Sequence, residues 1–270
     1  MVKFALISIK MHYFSLLIVF AIFLSKPLYG QAAKKNDTFI KGTFRYATYE
    51  MPYRLLLPQG YDPAKRYPLV LGFHGAGERG SDNEITLKHL SPPFLQPEAR
   101  KRYPCFVLIP QCAPGHRWVE VPWEASAHQQ PEAPALYMQM SLLLLAETLR
   151  EYPIDGTRLY VYGLSMGGFA VWDIITRYPK LFAAAIAVCG GADEQKAANI
   201  LHLPVWAFHG GKDSTVLPER SRRMVAALQA AGATKLRYTE YPEAGHTSWK
   251  QAFVEKELLP WLFAQQKQAP

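Results

Sequence analysis

The chain has 270 residues, of which 49% are hydrophobic, and a formal charge of +8. That composition is ordinary for a globular protein and ample for one large core. The basic residues are scattered, with Lys3, Lys10 and Lys26 near the start, and so diffuse an excess argues against a nucleic-acid partner. No repeat, low-complexity linker or long charge run divides the chain.

Lys3 and Lys10 precede an apolar run from Phe14 to Leu24, followed by small residues up to Gly30. This is the pattern of an export leader over residues 1–30. The run is shorter than the roughly 20 residues a membrane-spanning helix needs. The expectation is therefore a secreted or periplasmic protein with no membrane span after cleavage, its mature chain starting near Gln31.

Two alternating stretches, "GTFRYATYE" and "PYRLLLP", predict an antiparallel pair of strands. Short apolar runs then predict buried strands at 68–74, 105–110, 158–163, 182–189, 204–210 and 235–242. Helical patterns cover 135–152, 166–178, 219–231 and 248–263. Strands separated by helices make an α/β protein. About eight strands form a mostly parallel sheet, covered on both faces, with the site beyond the strands' carboxyl ends.

Four segments carry chemistry. "Gly163-Leu164-Ser165-Met166-Gly167" is a G-x-S-x-G between a predicted strand and a predicted helix, the context in which a strained turn lifts a serine above the sheet. Serine needs a base to become a nucleophile. His246, after the last strand, is the candidate base, and Asp213, after the strand before it, is the candidate orienting acid. Asp193 competes with Asp213, while His74 and His209 read as inward-facing structural residues. "His74-Gly75-Ala76-Gly77" ends an early strand. There the N–H of Ala76, with Gly77 second, joins that of Met166 as a candidate oxyanion donor.

The segments "FHGAGERG", "YGLSMGGFAVWDIITRYP", "HGGKDSTV" and "EAGHTSW" resemble those of the α/β-hydrolases, in particular the compact exported branch described as dienelactone-hydrolase-like, predicted peptidase or feruloyl-esterase-like. The resemblance spans about residues 40–264 and implies one catalytic domain over 36–266 without a large lid. It further implies carboxylic ester hydrolysis through Ser165, Asp213 and His246, with no cofactor.

Substrate choice is expected from the loop 111–134, where Trp118 and Trp123 are candidate walls for a sugar or phenolic ring. Glu78, Arg79 and Asp82 either bind a polar substrate or pin their own loop. The expected partner is a small-molecule or polysaccharide-linked ester. A peptidase acting on short peptides and a non-catalytic carbohydrate-binding protein are the alternatives. No cluster has metal-ligand spacing. Cys105, Cys112 and Cys189 are expected to be free, because a strand over 105–110 spans about 17 Å at ~3.3 Å per residue, too far for two further residues to close a bridge.

Overall fold

The structure, a computed structural model, describes residues 39–267. The expected leader at 1–30 lies outside the described residues. The first elements are β1 (Ile40–Tyr46) and β2 (Tyr49–Leu56). Ala47, in the turn between them, has φ 52°, the left-handed conformation that suits a tight hairpin. Next come β3 (Tyr67–Phe73), the short helices α1 (Leu87–Leu90), α2 (Pro92–Leu95) and α3 (Pro97–Arg102), and β4 (Phe106–Pro110). The rest runs α4 (Leu136–Glu151), β5 (Ile154–Leu164), α5 (Met166–Arg177), β6 (Ala184–Val188) and β7 (Val205–Gly210). It ends with α6 (Glu219–Ala230), β8 (Leu236–Tyr241), α7 (Trp249–Ala252) and α8 (Leu258–Phe263).

One eight-stranded sheet has the order β1-β2-β4-β3-β5-β6-β7-β8. β2 pairs antiparallel with both β1 and β4, and every pairing from β4–β3 to β7–β8 is parallel. The carboxyl ends of β3, β5, β6, β7 and β8 therefore open on a single edge. Val70, Tyr160, Tyr162, Ile186, Val188 and Phe208 belong to a core cluster with Leu90, Phe94, Ala252, Trp261 and Leu262 of the short helices. Alternate residues point to the opposite face. There Leu69, Leu71, Phe73, Val161 and Ala207 are equally buried, on the side where α5 packs on β3, β5 and β6 and α6 on β7 and β8. Each of these valine, leucine and phenylalanine side chains contributes about 1.5–3 kcal/mol by burial.

Prolines punctuate the elements. Tyr178 and Tyr152 each precede a proline and follow the last residue of α5 and α4, because a residue before proline avoids the helical region. The helix expected over 248–263 is instead two pieces, α7 and α8. Pro260 lacks an N–H and would clash with the carbonyl four residues back. It is accommodated in the first turn of α8, where the missing donor costs nothing. Strand β5 starts at Ile154, four residues before its expected start. The helical turns at 87–102 and 194–200 are too short to leave a periodic pattern. Among the described residues no helix is long and apolar enough to cross a membrane.

Candidate active site

Ser165 stands between the last residue of β5 and the first of α5, with φ 53° and ψ −119°. A non-glycine residue in this region costs about 1–3 kcal/mol and persists where its surroundings hold it. They do so here: Ser165 N donates to Val188 O at 2.9 Å, and Phe169 N to Ser165 O at 3.1 Å. The helix crosses the strands so closely that a Cβ on Gly167 would strike Phe73 O, and one on Gly168 would strike Val188 O. Phe169 supplies the helix's first such donor, so the N–H groups of Met166, Gly167 and Gly168 lie ahead of the intrahelical ladder.

Ser165 Oγ lies 2.9 Å from His246 Nε2, and His246 Nδ1 lies 2.8 Å from Asp213 Oδ2. The carboxylate only accepts, so Nδ1 carries the proton and Nε2 is free to accept the serine O–H. Asp213 Oδ1 accepts the N–H groups of Thr215 and Val216, both at 2.9 Å. His209 Nε2 donates to Val216 O at 2.9 Å and lies 3.3 Å from Asp213 Oδ2. Burial pushes the Asp213 carboxyl up, but hydrogen bonds from His209, His246 and Val216 outweigh it and hold the group well below the usual carboxylate range. Asp193 is not the acid: it caps the turn at 194–200 by accepting Gln195 N at 3.1 Å, and it accepts Gln130 N at 2.9 Å.

The loop after β3 packs against this turn. A Cβ on Gly75 would lie 3.6 Å from Ser165 Cβ. The first backbone donors of the short turn Ala76–Glu78 are Glu78 N to Gly75 O and Arg79 N to Ala76 O, which leaves the N–H groups of Ala76 and Gly77 ahead of them. His74 anchors the loop from below. Cys112 N donates to His74 Nε2 at 3.0 Å, so Nδ1 bears the proton and donates to Gly75 O at 2.6 Å. Burial lowers the His74 pKa to about 4.

A cavity of about 430 Å³ is lined by Ala76, Glu78, Trp123, Ser165, His246 and Trp249, among others. Trp123, half-buried, forms part of its wall, with Arg117 and Arg79 over its ring at 4.2 and 5.9 Å. Trp118 does not reach the cavity and is no substrate wall. It is fully buried, its edge packed on Phe73, and its Nε1 donates to His74 O at 3.0 Å. The sequence pattern could not separate two tryptophans five residues apart in one loop, since both are large and apolar. Trp249 was missed, hidden in an expected helix; its ring stands edge-on to His246 at 5.4 Å between centroids. Of the three polar candidates on the loop, Arg79 donates to Ala76 O at 3.0 Å and Asp82 accepts Glu84 N, Ile85 N and Gln111 Nε2. Both pin the loop, whereas Glu78 lines the cavity.

The segment carrying Trp123 is latched to the helices behind it. Arg220 donates to Ala125 O at 2.6 Å and contacts His128 Nδ1. Gln130 Nε2 reaches Asp173 Oδ1 and Thr176 Oγ1 at 2.9 and 2.8 Å. Arg177 donates to Glu132 O at 2.9 Å. The three cysteines are free and buried, and burial pushes the Cys105 and Cys112 thiols up to about 12. Among the described residues one trio of possible metal donors, Cys189, Asp213 and His246, falls within 4.8 Å. Its thiol is pushed far up by burial, and its other two members are already bonded to each other. A second cavity of about 550 Å³, lined by Tyr67, Arg102, Arg158 and Phe263 among others, touches the starts of β3 and β5, away from the carboxyl edge.

Residues 132–257 match the dienelactone hydrolase family. Comparison with curated proteins finds no match. Among solved structures, a thermostable esterase shares 38% identity with a TM-score of 0.79, over 86% of this chain and 64% of that one. The present chain thus spans less than two-thirds of that relative's length. A feruloyl esterase module from Clostridium thermocellum superposes with a TM-score of 0.65 at 16% identity, over 88% of this chain and 92% of that one. The Pyrococcus horikoshii acylaminoacyl peptidase does so with 0.63 at 15%, over 88% and 44%; at these identities the likeness shows the fold alone. With its serine turn and its sheet order, the chain has the α/β-hydrolase fold, and its match to the dienelactone hydrolase family runs over residues 132–257.

Proposed function

We propose that the protein is an exported serine hydrolase of carboxylic esters. The observation that carries this reading is the relay Ser165–His246–Asp213, with bonds of 2.9 and 2.8 Å, at a cavity of about 430 Å³. In the proposed reaction His246 Nε2 takes the Ser165 proton as Oγ bonds to the ester carbon. The N–H groups of Ala76 and Met166, with Gly77 beside them, receive the oxyanion. Collapse breaks the bond to the leaving alcohol, and Nε2–H returns the proton to its oxygen. A water then repeats the sequence on the acyl-serine and releases the acid. Asp213 orients the ring and stabilises the imidazolium.

The similarity to a thermostable esterase supports an ester rather than a peptide substrate. Amide cleavage requires a proton delivered to a poor leaving group in tight alignment, whereas an alkoxide or phenoxide leaves more easily. Trp123 supports an aromatic or sugar-linked ester. The deciding experiment measures kcat/KM on an ester and an amide that share one acyl group, together with fluorophosphonate labelling. The ester should be far better, and the label should fall on Ser165. Equal amide hydrolysis would promote the peptidase, and no labelling would promote the non-catalytic carbohydrate-binding protein. Export has its own test, in which mass spectrometry of the extracytoplasmic protein should find an N-terminus near Gln31; an intact Met1 would reject it.

A further inference from the structure

Glu78 occupies an unusual position for a carboxylate. Its side chain is 91% buried, yet it lines the cavity beside Ser165. A Cβ added to Gly75 would stand 3.1 Å from Glu78 Oε2 and 3.6 Å from Ser165 Cβ, so one atom would bridge the acid and the nucleophile's side chain. Among the described residues one basic side chain forms a close pair with the carboxylate, His89, whose Nε2 lies 3.6 Å from Oε1, beyond hydrogen-bond range. Burial holds His89 below its usual pKa despite the pull of Glu78, which weakens it as a counter-ion. No lysine or arginine lines the cavity, whereas a second carboxylate, the exposed Glu124, does.

A carboxylate on the wall of a cavity that no lysine or arginine lines is a ready acceptor for a hydroxyl of the ligand. The same cavity is lined by Trp123 and Trp249, whose indole Nε1 atoms are buried with no partner among the described residues. An ammonium group offers donors alone; a polyol offers hydroxyl donors to the carboxylate and C–H faces to the indole rings that line the cavity.

Resting on the serine esterase reading, we propose that Glu78 is a specificity-determining residue: its carboxylate accepts a hydrogen bond from a free hydroxyl of a polyol ester and excludes esters that carry a carboxylate of their own. The hydroxyl is an added handle, so simple esters are still cleaved, but less well.

Acetyl esters in matched pairs test this. Glyceryl monoacetate is compared with propyl acetate, and 4-acetoxybenzoate with 4-acetoxybenzamide, by kcat/KM in the wild type, Glu78→Gln and Glu78→Asp. In the wild type the hydroxylated ester should be preferred, and the anionic one should be disfavoured about tenfold or more against its neutral counterpart. In Glu78→Gln the anionic-to-neutral ratio should rise about tenfold and the hydroxyl preference should shrink, while Glu78→Asp, which keeps the charge, should keep the exclusion of the anion. Ratios within one variant cancel any general loss of activity. If Glu78→Gln folds and both ratios move less than twofold, the proposal is overturned. If Glu78→Gln fails to fold, the wild type decides: equal rates on the anionic and neutral phenyl esters overturn the proposal, and a tenfold gap sustains it. Failure on all four esters overturns the esterase reading itself, and the subsite with it.

Discussion

At the scale of single residues, the proposed chemistry depends on two hydrogen bonds in series, Ser165 to His246 and His246 to Asp213. Ser165→Ala removes its first atom, and kcat should fall on the order of 10⁶-fold, measured by steady-state hydrolysis of a short p-nitrophenyl ester. Asp213→Asn keeps the shape but offers His246 an amide, which can hold the wrong tautomer; a fall on the order of 10⁴-fold is expected. The two tryptophans of loop 111–134 should part company. Trp118→Ala empties a fully buried site and orphans His74 O, costing about 3–5 kcal/mol of stability in denaturant titration. Trp123→Ala should leave stability nearly unchanged and raise KM for aromatic acyl esters more than for acetyl esters. The residues proposed as reactive were legible because a serine between glycines at a strand-to-helix joint has few other uses. The fates of the tryptophans were not, since burial depends on what packs over a side chain.

At the scale of elements, the cavity wall is held from outside the cavity. Arg220 is 2% exposed and donates to Ala125 O on the segment that carries Trp123. Arg220→Ala should release that segment: KM for aromatic esters rises severalfold with kcat less affected, and stability falls by about 1–3 kcal/mol for the unpaired carbonyl. Steady-state kinetics and a urea midpoint measure the two effects, and a kcat loss without a KM change would show that the latch does not shape the wall. Nothing in the sequence marked this latch, because Arg220 sits in "ERSRRM", which reads as a solvated helix face. One turn of α6 faces inward only because the loop folds back over it. The split of the last helix was legible in principle, since Pro260 cannot continue an uninterrupted helix.

At the scale of the whole molecule, acid should unfold the protein in a defined window. His74 has a folded pKa of about 4, lowered by burial, against ~6.5 when unfolded. Between those values the unfolded chain binds the more protons, so stability falls as pH falls from about 6.5 to about 4. For this one group the loss is on the order of 3 kcal/mol. His128, lowered to about 4 first by burial and then by Arg220, acts in the same direction. Below about pH 4 the depressed Asp213 adds a further loss, as the unfolded carboxyl protonates first. Urea midpoints at pH 7, 5.5 and 4 should decline stepwise, and His74→Gln should flatten the upper part of the decline. A midpoint constant from pH 7 to 4 would contradict a neutral, buried His74.

The sequence by itself determined the class of fold, the strand-to-helix turn at Ser165, and the order in which Asp213 and His246 follow it. These are local matters: alternating patterns choose strand or helix, proline and glycine end them, and parallel strands bring their carboxyl ends to one edge whatever their order. Only the tertiary structure decided that Asp193 caps a turn while Asp213 meets His246, that Trp118 supports the loop from below while Trp123 faces the cavity, and that Glu78 lines it. Those outcomes depend on residues distant in the chain, such as His74 under Trp118 and Arg220 behind Ala125, because burial and hydrogen-bond partners belong to the packed molecule and not to any one segment.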